Sequence, residues 1–267
     1  MNSTTLSHKS KLYFYATIMF MVLLLFWKTT YAYSCIALFV PFVILCLISW
    51  SYIDVRMNQK YCFRNCYVEN NSKISKFLIS PIFVIVFYVL LSMGMTLSLV
   101  YAILSYPFFL WIYFLVHFFI VVSFYEKIVR WLSGSIKKEF TYIFARGITT
   151  FLGSLLFFII YIYIFINSYE PSYLRETLDE TLLLATKSIE SSCSWIDLVL
   201  RLYREIDGMH WWLTSSSSET IENDSMRSIL WISFVIINGL AVIGINRLLV
   251  QIVHVINHFI KKEENVS

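Results

Sequence analysis

The side chains that could take part in chemistry are few in this sequence, and His117 is the first of them. It is the only residue within the long apolar stretches that titrates near neutrality. An ionisable residue inside a membrane is a functional candidate by default. A neutral histidine can also satisfy itself by hydrogen bonding to a neighbouring helix. Both interpretations of His117 remain open at the level of sequence.

A histidine pair near the C-terminus has the spacing of metal ligands. His254 and His258 are four residues apart, so on a helix both imidazoles could reach one ion. The only carboxylates nearby in sequence are those of Glu263 and Glu264. A third ligand would have to come from elsewhere, so we predict no metal site and no cofactor.

The five cysteines do not form a metal-binding motif. Cys62 and Cys66 lie in a basic segment without further ligands, which favours two reduced thiols. Cys35 and Cys46 fall in a predicted span, where packing is their expected role. A disulfide of Cys193 would need Cys35 or another molecule, so we expect Cys193 to carry a free thiol.

Catalytic and nucleotide-binding motifs are absent from the sequence. It has no H-E-x-x-H, no G-x-S-x-G, no P-loop and no G-x-G-x-x-G. No pair of carboxylates lies within an apolar stretch, as acid–base catalysis in a membrane would need. We therefore predict that the protein is not an enzyme.

The elements that must position these residues are transmembrane helices. Hydrophobic residues make up 58% of the 267 positions and charged residues 14%, against about 45–50% and about 25% in an average soluble domain. A soluble domain of this size cannot bury so much apolar surface. The predicted fold class is all-α, a polytopic transmembrane helical bundle.

Six stretches are long and apolar enough to be spans, since a span needs about 20 residues. The charge-free run 77–125 is too long for one helix and divides near Pro107. The predicted spans are 12–30, 31–53, 77–104, 107–125, 149–167 and 229–245. This gives a region 1–167 with five spans, an acidic helical module 168–228, and a region 229–267 with the sixth span and an amphipathic tail.

The charges predict the orientation of the bundle. The termini and the segments 54–76 and 126–147 hold 15 of the 21 basic residues, whereas the opposite side holds 11 of the 17 acidic ones. Cytoplasmic loops carry an excess of Lys and Arg. Both termini are therefore predicted to be cytoplasmic, and the module 168–228 extracytoplasmic.

The module 168–228 is predicted to contain two amphipathic helices. One begins at Pro171, the other covers Trp195–Ile206 and stops at Gly208. The serines 215–218 are interpreted as a flexible linker, with an acidic docking strip as the alternative. The residues expected to contact a partner are acidic or aromatic: Glu176, Asp179, Trp195, Tyr203, Trp211 and Trp212.

Two further segments mix basic and bulky apolar residues, as helices lying on a membrane surface do. They are Glu126–Ile148 and the tail that follows span six. The residues predicted to face lipid head groups are Arg130, Lys137, Lys138, Arg247, Lys261 and Lys262.

The function predicted from these features is binding rather than catalysis. We expect a multi-pass protein of a bacterial inner membrane that acts through protein–protein interaction, as an accessory or assembly subunit or as an immunity or exclusion factor. Its partners would be the bilayer and a protein or a second copy, and not nucleic acid. The alternative is a small channel, a pore-forming effector or a facilitative transporter, with His117 and Asn238 among its polar intramembrane residues.

Overall fold

The protein is all-helical, as predicted. The computed structural model describes the backbone of residues 3–67, 81–168, 171–220 and 224–264, and within these ranges it contains eight α-helices and no strand. The helices are α1 (Ser3–Thr30), α2 (Phe39–Tyr67), α3 (Ile82–Ser105), α4 (Phe108–Ser133), α5 (Lys138–Ser168), α6 (Leu178–Lys187), α7 (Ser194–Thr220) and α8 (Asp224–Glu264), with a 3-10 turn at Cys35–Leu38.

Six segments are long and apolar enough to cross a membrane, which confirms a multi-pass membrane protein. They are Ser10–Thr30, Cys35–Phe63, Ile82–Ser105, Phe108–Ser133, Phe140–Tyr163 and Gly239–Ile260. An even number of spans places the start of α1 and the end of α8 on one side of the bundle. We call this the terminal side, and we call the side of α6 and α7 the module side.

The segment Glu126–Ile148 is not a separate helix on the membrane surface, so that prediction is wrong. Its first part completes α4, and its second part is the beginning of α5. A short turn between the two contains Gly134, whose N–H donates to the carbonyl of Leu132. The prediction assumed that the basic residues of this segment face the membrane surface, whereas Arg146 lies inside the bundle.

The sixth predicted span lies within the longest of the described helices. α8 has 41 residues, which corresponds to about 60 Å at 1.5 Å per residue. It runs without a break through the predicted span 229–245 and the predicted amphipathic tail. Its described part contains the apolar segment Gly239–Ile260.

α8 is the central helix of the bundle. Of its apolar segment, 67% is buried by the rest of the protein, against 28–44% for the other five spans. It packs against α1, α2, α3, α4, α5 and α7. The other spans contact one another in the order α2, α3, α1, α4, α5 around it. Within the described residues α2 and α5 do not pack along each other, so the ring is open between them.

The helices of the module are shifted relative to the prediction. α6 begins at Leu178 rather than Pro171, because the hydroxyl of Thr177 caps it by accepting from the N–H of Glu180. α7 does not stop at Gly208 and continues to Thr220, so the backbone of the serine run is helical and not a linker. Gly208 packs against α6, where a Cβ atom would lie 3.3 Å from that of Ala185.

Candidate functional site

A row of polar side chains lies on one face of α8, inside the bundle. Asn246, Arg247 and Gln251 are buried, and His254 is half-buried. Buried polar groups in a membrane must find partners within the protein. The contacts of these four residues therefore define the polar interior of the bundle.

His117 belongs to this interior and is bonded through both ring nitrogens. Its Nε2 lies 2.8 Å from Oδ1 of Asn246, and its Nδ1 lies 3.1 Å from the hydroxyl of Tyr113. The amide nitrogen of Asn246 donates to the carbonyl of Val242, so its oxygen faces the histidine. A neutral His117 with its proton on Nε2 satisfies every group, with Tyr113 donating to Nδ1. Hydrogen bonding to a neighbouring helix was one of the two interpretations of His117. A functional role for His117 stays a prediction.

Gly153 allows α5 to approach this hydrogen bond closely. A Cβ atom at Gly153 would lie 2.6 Å from Oδ1 of Asn246 and 3.1 Å from Cγ2 of Val121. The first separation is too short for real side-chain atoms and the second is tight, so a side chain at this position requires the oxygen of Asn246 to move.

An ion pair lies further toward the terminal side. Nη2 of Arg146 on α5 contacts Oδ2 of Asp54 on α2, and Nη1 donates to Oε1 of Gln251 at 3.2 Å. The side chain of Arg146 is only 2% exposed. The side chain of Asp54 is 35% exposed, so only the arginine is fully buried. Removing the carboxylate leaves the charge of Arg146 uncompensated, which costs up to the about 3–5 kcal/mol that is typical of a buried pair. The pair ties α2 and α5 together at this level.

Arg247 is buried without a carboxylate partner among the described side chains, so it does not lie on the exposed surface of the helix as the prediction of a lipid-facing residue implied. The residue is 3% exposed. Its Nη2 donates to the carbonyl of Ser51 at 2.9 Å, and its guanidinium lies 4.3 Å from the ring centre of Tyr52. Its Nε has no hydrogen-bond partner. The neighbouring Arg56 bonds to Gln59 and lies 5.7 Å from the ring of Tyr88.

A cleft of about 640 Å³ opens between α2, α5 and α8. Arg247 and Arg56 line it, together with apolar residues of α5 and α8. Thr150 and Ser154 also line it, and their hydroxyl groups are buried without a hydrogen-bond partner. The volume is within the range of about 300–1,000 Å³ that is typical of ligand pockets.

The module is fastened to the bundle by a disulfide between Cys35 and Cys193. The prediction of a free thiol at Cys193 is therefore wrong. The adjacent Ser192 reinforces the link, since its backbone N–H and its hydroxyl both donate to the carbonyl of Ala32 at 3.0 Å. Cys35 was the one intramolecular partner considered for Cys193, but a separation of 158 positions gave no local signal that the two cysteines meet.

A second connection between module and bundle is a network around Asp207. Its Oδ2 accepts hydrogen bonds of 2.7 Å from the hydroxyls of Tyr101 on α3 and Tyr173 in the module. Arg204 lies 3.6 Å from the same oxygen and donates to Tyr101 and Ser105. Burial and the adjacent carboxylate raise the pKa of Tyr173 well above its usual range. The phenol therefore stays protonated and can donate to Asp207.

The predicted module residues do not form one patch. Trp195 is 68% exposed, whereas Tyr203 is half-buried and packs 5.6 Å from the ring of Tyr101. Nε1 of Trp212 donates to the backbone carbonyl of Glu176, so this tryptophan connects α7 to the segment before α6. Asp179 is exposed in the first turn of α6, and Trp211 is half-buried.

Of the other residues predicted to have a role, some have side chains that the structure describes and some do not. Arg130 and Lys137 are exposed at the terminal side, in accordance with a role near lipid head groups. The side chains of Asn238, Lys138, Lys261 and Lys262 are outside the described part of the structure. Sequence reasoning missed Asp54, Arg146, Asn246 and Gln251.

No family model, no curated protein and no solved structure matches this chain. Within the described residues, no three histidine, cysteine or acidic side chains are placed to hold a metal ion. The inference of function therefore depends on the geometry alone.

Proposed function

We propose that this chain is a non-enzymatic membrane protein that acts by binding another protein through its module. The observation that supports the proposal is an apolar stripe along α7. Its members are large side chains that are 40–68% exposed: Trp195, Leu198, Leu202, Ile206 and Met209. Successive members are three or four residues apart, so they share one face of the helix.

This stripe has the properties of a recognition surface. Contiguous apolar patches on the surface of a protein mark sites of protein or membrane contact. The disulfide and the network around Asp207 fix α7 relative to the bundle. A surface that is held in place before binding loses less conformational entropy when a partner binds. The partner can be an assembly subunit, the target of an immunity or exclusion factor, or a second copy.

The proposed orientation places the module on the extracytoplasmic side of a bacterial inner membrane, with both termini in the cytoplasm. The excess of basic residues on the terminal side supports this orientation. The disulfide supports it independently, because disulfides persist in oxidising compartments outside the cytosol.

Photocrosslinking from α7 tests the binding function. A photoreactive amino acid at Leu198 or Leu202 is expected to give protein adducts in intact membranes, and Leu183 on α6 provides the control. All three side chains are about half exposed: 53%, 51% and 54% respectively. The double substitution Leu198→Asp and Leu202→Asp should abolish adducts from a probe at Met209. Adducts with lipid alone at Leu198 and Leu202 would contradict the proposal, because the stripe would then lie in the bilayer.

The polar face of α8 favours a second candidate, a small channel or facilitative transporter. His117, Asn246, Arg247 and Gln251 follow one another through the interior of the bundle. Flux of a solute in proteoliposomes that is lost in His117→Ala, but retained in the exposed control Arg130→Gln, would support transport. Tight vesicles with both proteins would favour the binding function.

A further inference from the structure

The cleft between α2, α5 and α8 lies where the ring of helices around α8 is open. α2 and α5 are connected at its terminal-side end by the ion pair of Asp54 and Arg146. α8 forms the floor of the cleft and contributes Arg247. Because the walls and the floor all belong to membrane-spanning segments, the cleft opens sideways, toward the acyl chains of the bilayer.

The lining of the cleft changes from polar to apolar along its length. Gln59 and Arg56 lie near the terminal-side end of α2, where Gly147 lines the opposite wall. Toward the module side, the lining consists mainly of apolar groups of α5 and α8: Leu155, Phe158, Leu240 and Ile243. From Gly147 to Phe158 the wall is about 16 Å long at the helical rise of 1.5 Å per residue. The change from polar to apolar lining runs in the same direction as a lipid in the leaflet of the terminal side, from head group to acyl chain. The length of the wall is similar to that of one acyl chain.

The polar end of the cleft carries an excess of positive charge. Arg56 and Arg247 line it, and Arg146 precedes the lining residue Gly147. Asp54 is the only carboxylate that pairs with any of these arginines among the described residues. Arg247 is the decisive group, because its Nε has no partner although the side chain is almost completely buried. Buried charges in proteins are paired, so a missing partner indicates a ligand.

We propose that the cleft binds an anionic amphiphile from the leaflet of the terminal side. Its phosphate or carboxylate head group pairs with Arg247 and Arg56, and the hydroxyl groups of Thr150 and Ser154 supply neutral hydrogen bonds. Its hydrocarbon chain lies along α5 and α8. An arginine fork matches the geometry of carboxylate and phosphate oxygens. This site is separate from the stripe on α7 and does not depend on the proposed function.

Native mass spectrometry of the purified full chain tests the proposal. The protein in detergent is titrated with palmitoyl-oleoyl phosphatidylglycerol, with the zwitterionic phosphatidylcholine of the same chains, and with palmitate. We expect one tightly held phosphatidylglycerol and about tenfold weaker retention of phosphatidylcholine, because its trimethylammonium group adds a positive charge next to the arginines. Equal retention of the two phospholipids at every site would overturn the proposal.

A competition experiment separates an amphiphile from a small anion. Inorganic phosphate at millimolar concentration should not displace the bound phosphatidylglycerol, since it cannot occupy the apolar part of the cleft. Displacement by phosphate alone would show that the cleft recognises only the anion, which would contradict the proposal of a lipid or fatty acid.

Two kinds of variant locate the site. Arg247→Lys keeps the buried charge but removes the planar fork, and is expected to weaken binding of phosphatidylglycerol about tenfold. Gly147→Leu adds an apolar side chain at the polar end without replacing an arginine, and a Cβ atom there meets nothing within 4 Å. Gly94→Leu on α3 is the matched control, since its Cβ atom also meets nothing. Unchanged binding in folded Gly147→Leu protein would exclude the cleft as the site, and so would equal losses in both glycine variants.

Discussion

Two polar regions of this protein differ in how completely their groups are paired. At the junction of module and bundle, Asp207 accepts from two tyrosines and lies beside Arg204, which itself donates to Tyr101 and Ser105. At the cleft on the terminal side, Arg247 and its neighbours retain polar atoms without partners. The first region has three side chains around one carboxylate, whereas the second has more arginines than carboxylates.

The difference separates a structural network from a binding site. A network in which every group is paired stabilises one arrangement of its side chains and leaves no free donor or acceptor for a ligand. Unpaired groups in a buried region carry a desolvation cost that a ligand can relieve. The same criterion places His117 and Asn246 with the structural groups, because both are fully bonded. The predictions that follow test whether the two regions respond to substitution as this division requires.

The largest effect is expected when the pair of Asp54 and Arg146 is broken. Asp54→Asn leaves Arg146 buried without a counter-charge, which should lower the free energy of unfolding by about 3–5 kcal/mol. Reversible unfolding in detergent micelles measures this loss. Asp197→Asn is the control, because it breaks a partly exposed pair with Arg201 four residues away and should cost about 0.3–0.5 kcal/mol. Losses of the same size would mean that the buried pair is solvated.

Removal of the disulfide should produce the next largest effect. The double substitution Cys35→Ser and Cys193→Ser releases a link across 158 residues, and we expect a loss of about 2–4 kcal/mol. Cys46→Ser, which replaces an exposed free cysteine, should leave stability unchanged. A thiol-reactive maleimide should label Cys193 only after reduction. Labelling of Cys193 without reductant would show that the link is not formed.

Asp207→Asn tests the paired network directly. It removes the charge on which Tyr101, Tyr173 and Arg204 converge, and should lower the free energy of unfolding by about 1.5–3 kcal/mol. The measurement is chemical unfolding in detergent at neutral pH, with the double variant Asp207→Asn and Arg204→Met to test coupling between the two charges. Strictly additive losses would indicate that the ion pair contributes nothing.

The same network predicts a dependence on alkaline pH. The pKa of Tyr173 is raised in the folded protein, so the folded state keeps a proton that the unfolded chain releases above about pH 10. The contribution to stability is complete below that pH and is lost as the pH rises further. Tyr173→Phe should reduce the loss.

Gly153→Ala should have the smallest effect of these substitutions. The new methyl group displaces the oxygen of Asn246 and breaks its bond to His117. Overpacking of this kind costs about 1–3 kcal/mol. Binding of phosphatidylglycerol should be unaffected, since Gly153 does not line the cleft. Gly94→Ala, in open space on α3, controls for the change in helix propensity. Equal stability of both alanine variants would contradict a close contact at Gly153.

Most of the fold could be predicted from the sequence because apolar length alone determines a span. The count of six, the all-helical class and the turn near Pro107 follow from that rule. The interior position of Asn246 and Arg247 did not follow from it, because residues 229–245 already come close to the length of about 20 residues that a span needs. Asn246 and Arg247 then appeared to be the start of a polar tail, although the helix continues and its polar face points inward.

The candidate site depended on pairings that are distant in sequence. Asp54 and Arg146 are 92 residues apart, and Ser51 and Arg247 are 196 residues apart. Each of these residues lies at or near the end of a predicted span. From sequence alone, a charged side chain in such a position is expected to face water. Only the packing of α8 against α2 and α5 shows that Arg247 and Gln251 face the interior.

The central position of α8 has a consequence for the biosynthesis of the protein. A chain is made from its N-terminus, and α8 is the last of the six spans in chain order. The five surrounding spans are therefore inserted before the helix around which they pack exists. During that interval Arg146 has Asp54 as a partner but not yet Gln251. The bundle can therefore assemble completely only after α8 has been inserted. A ribosome that stalls before α8 leaves five spans that lack the helix they pack against.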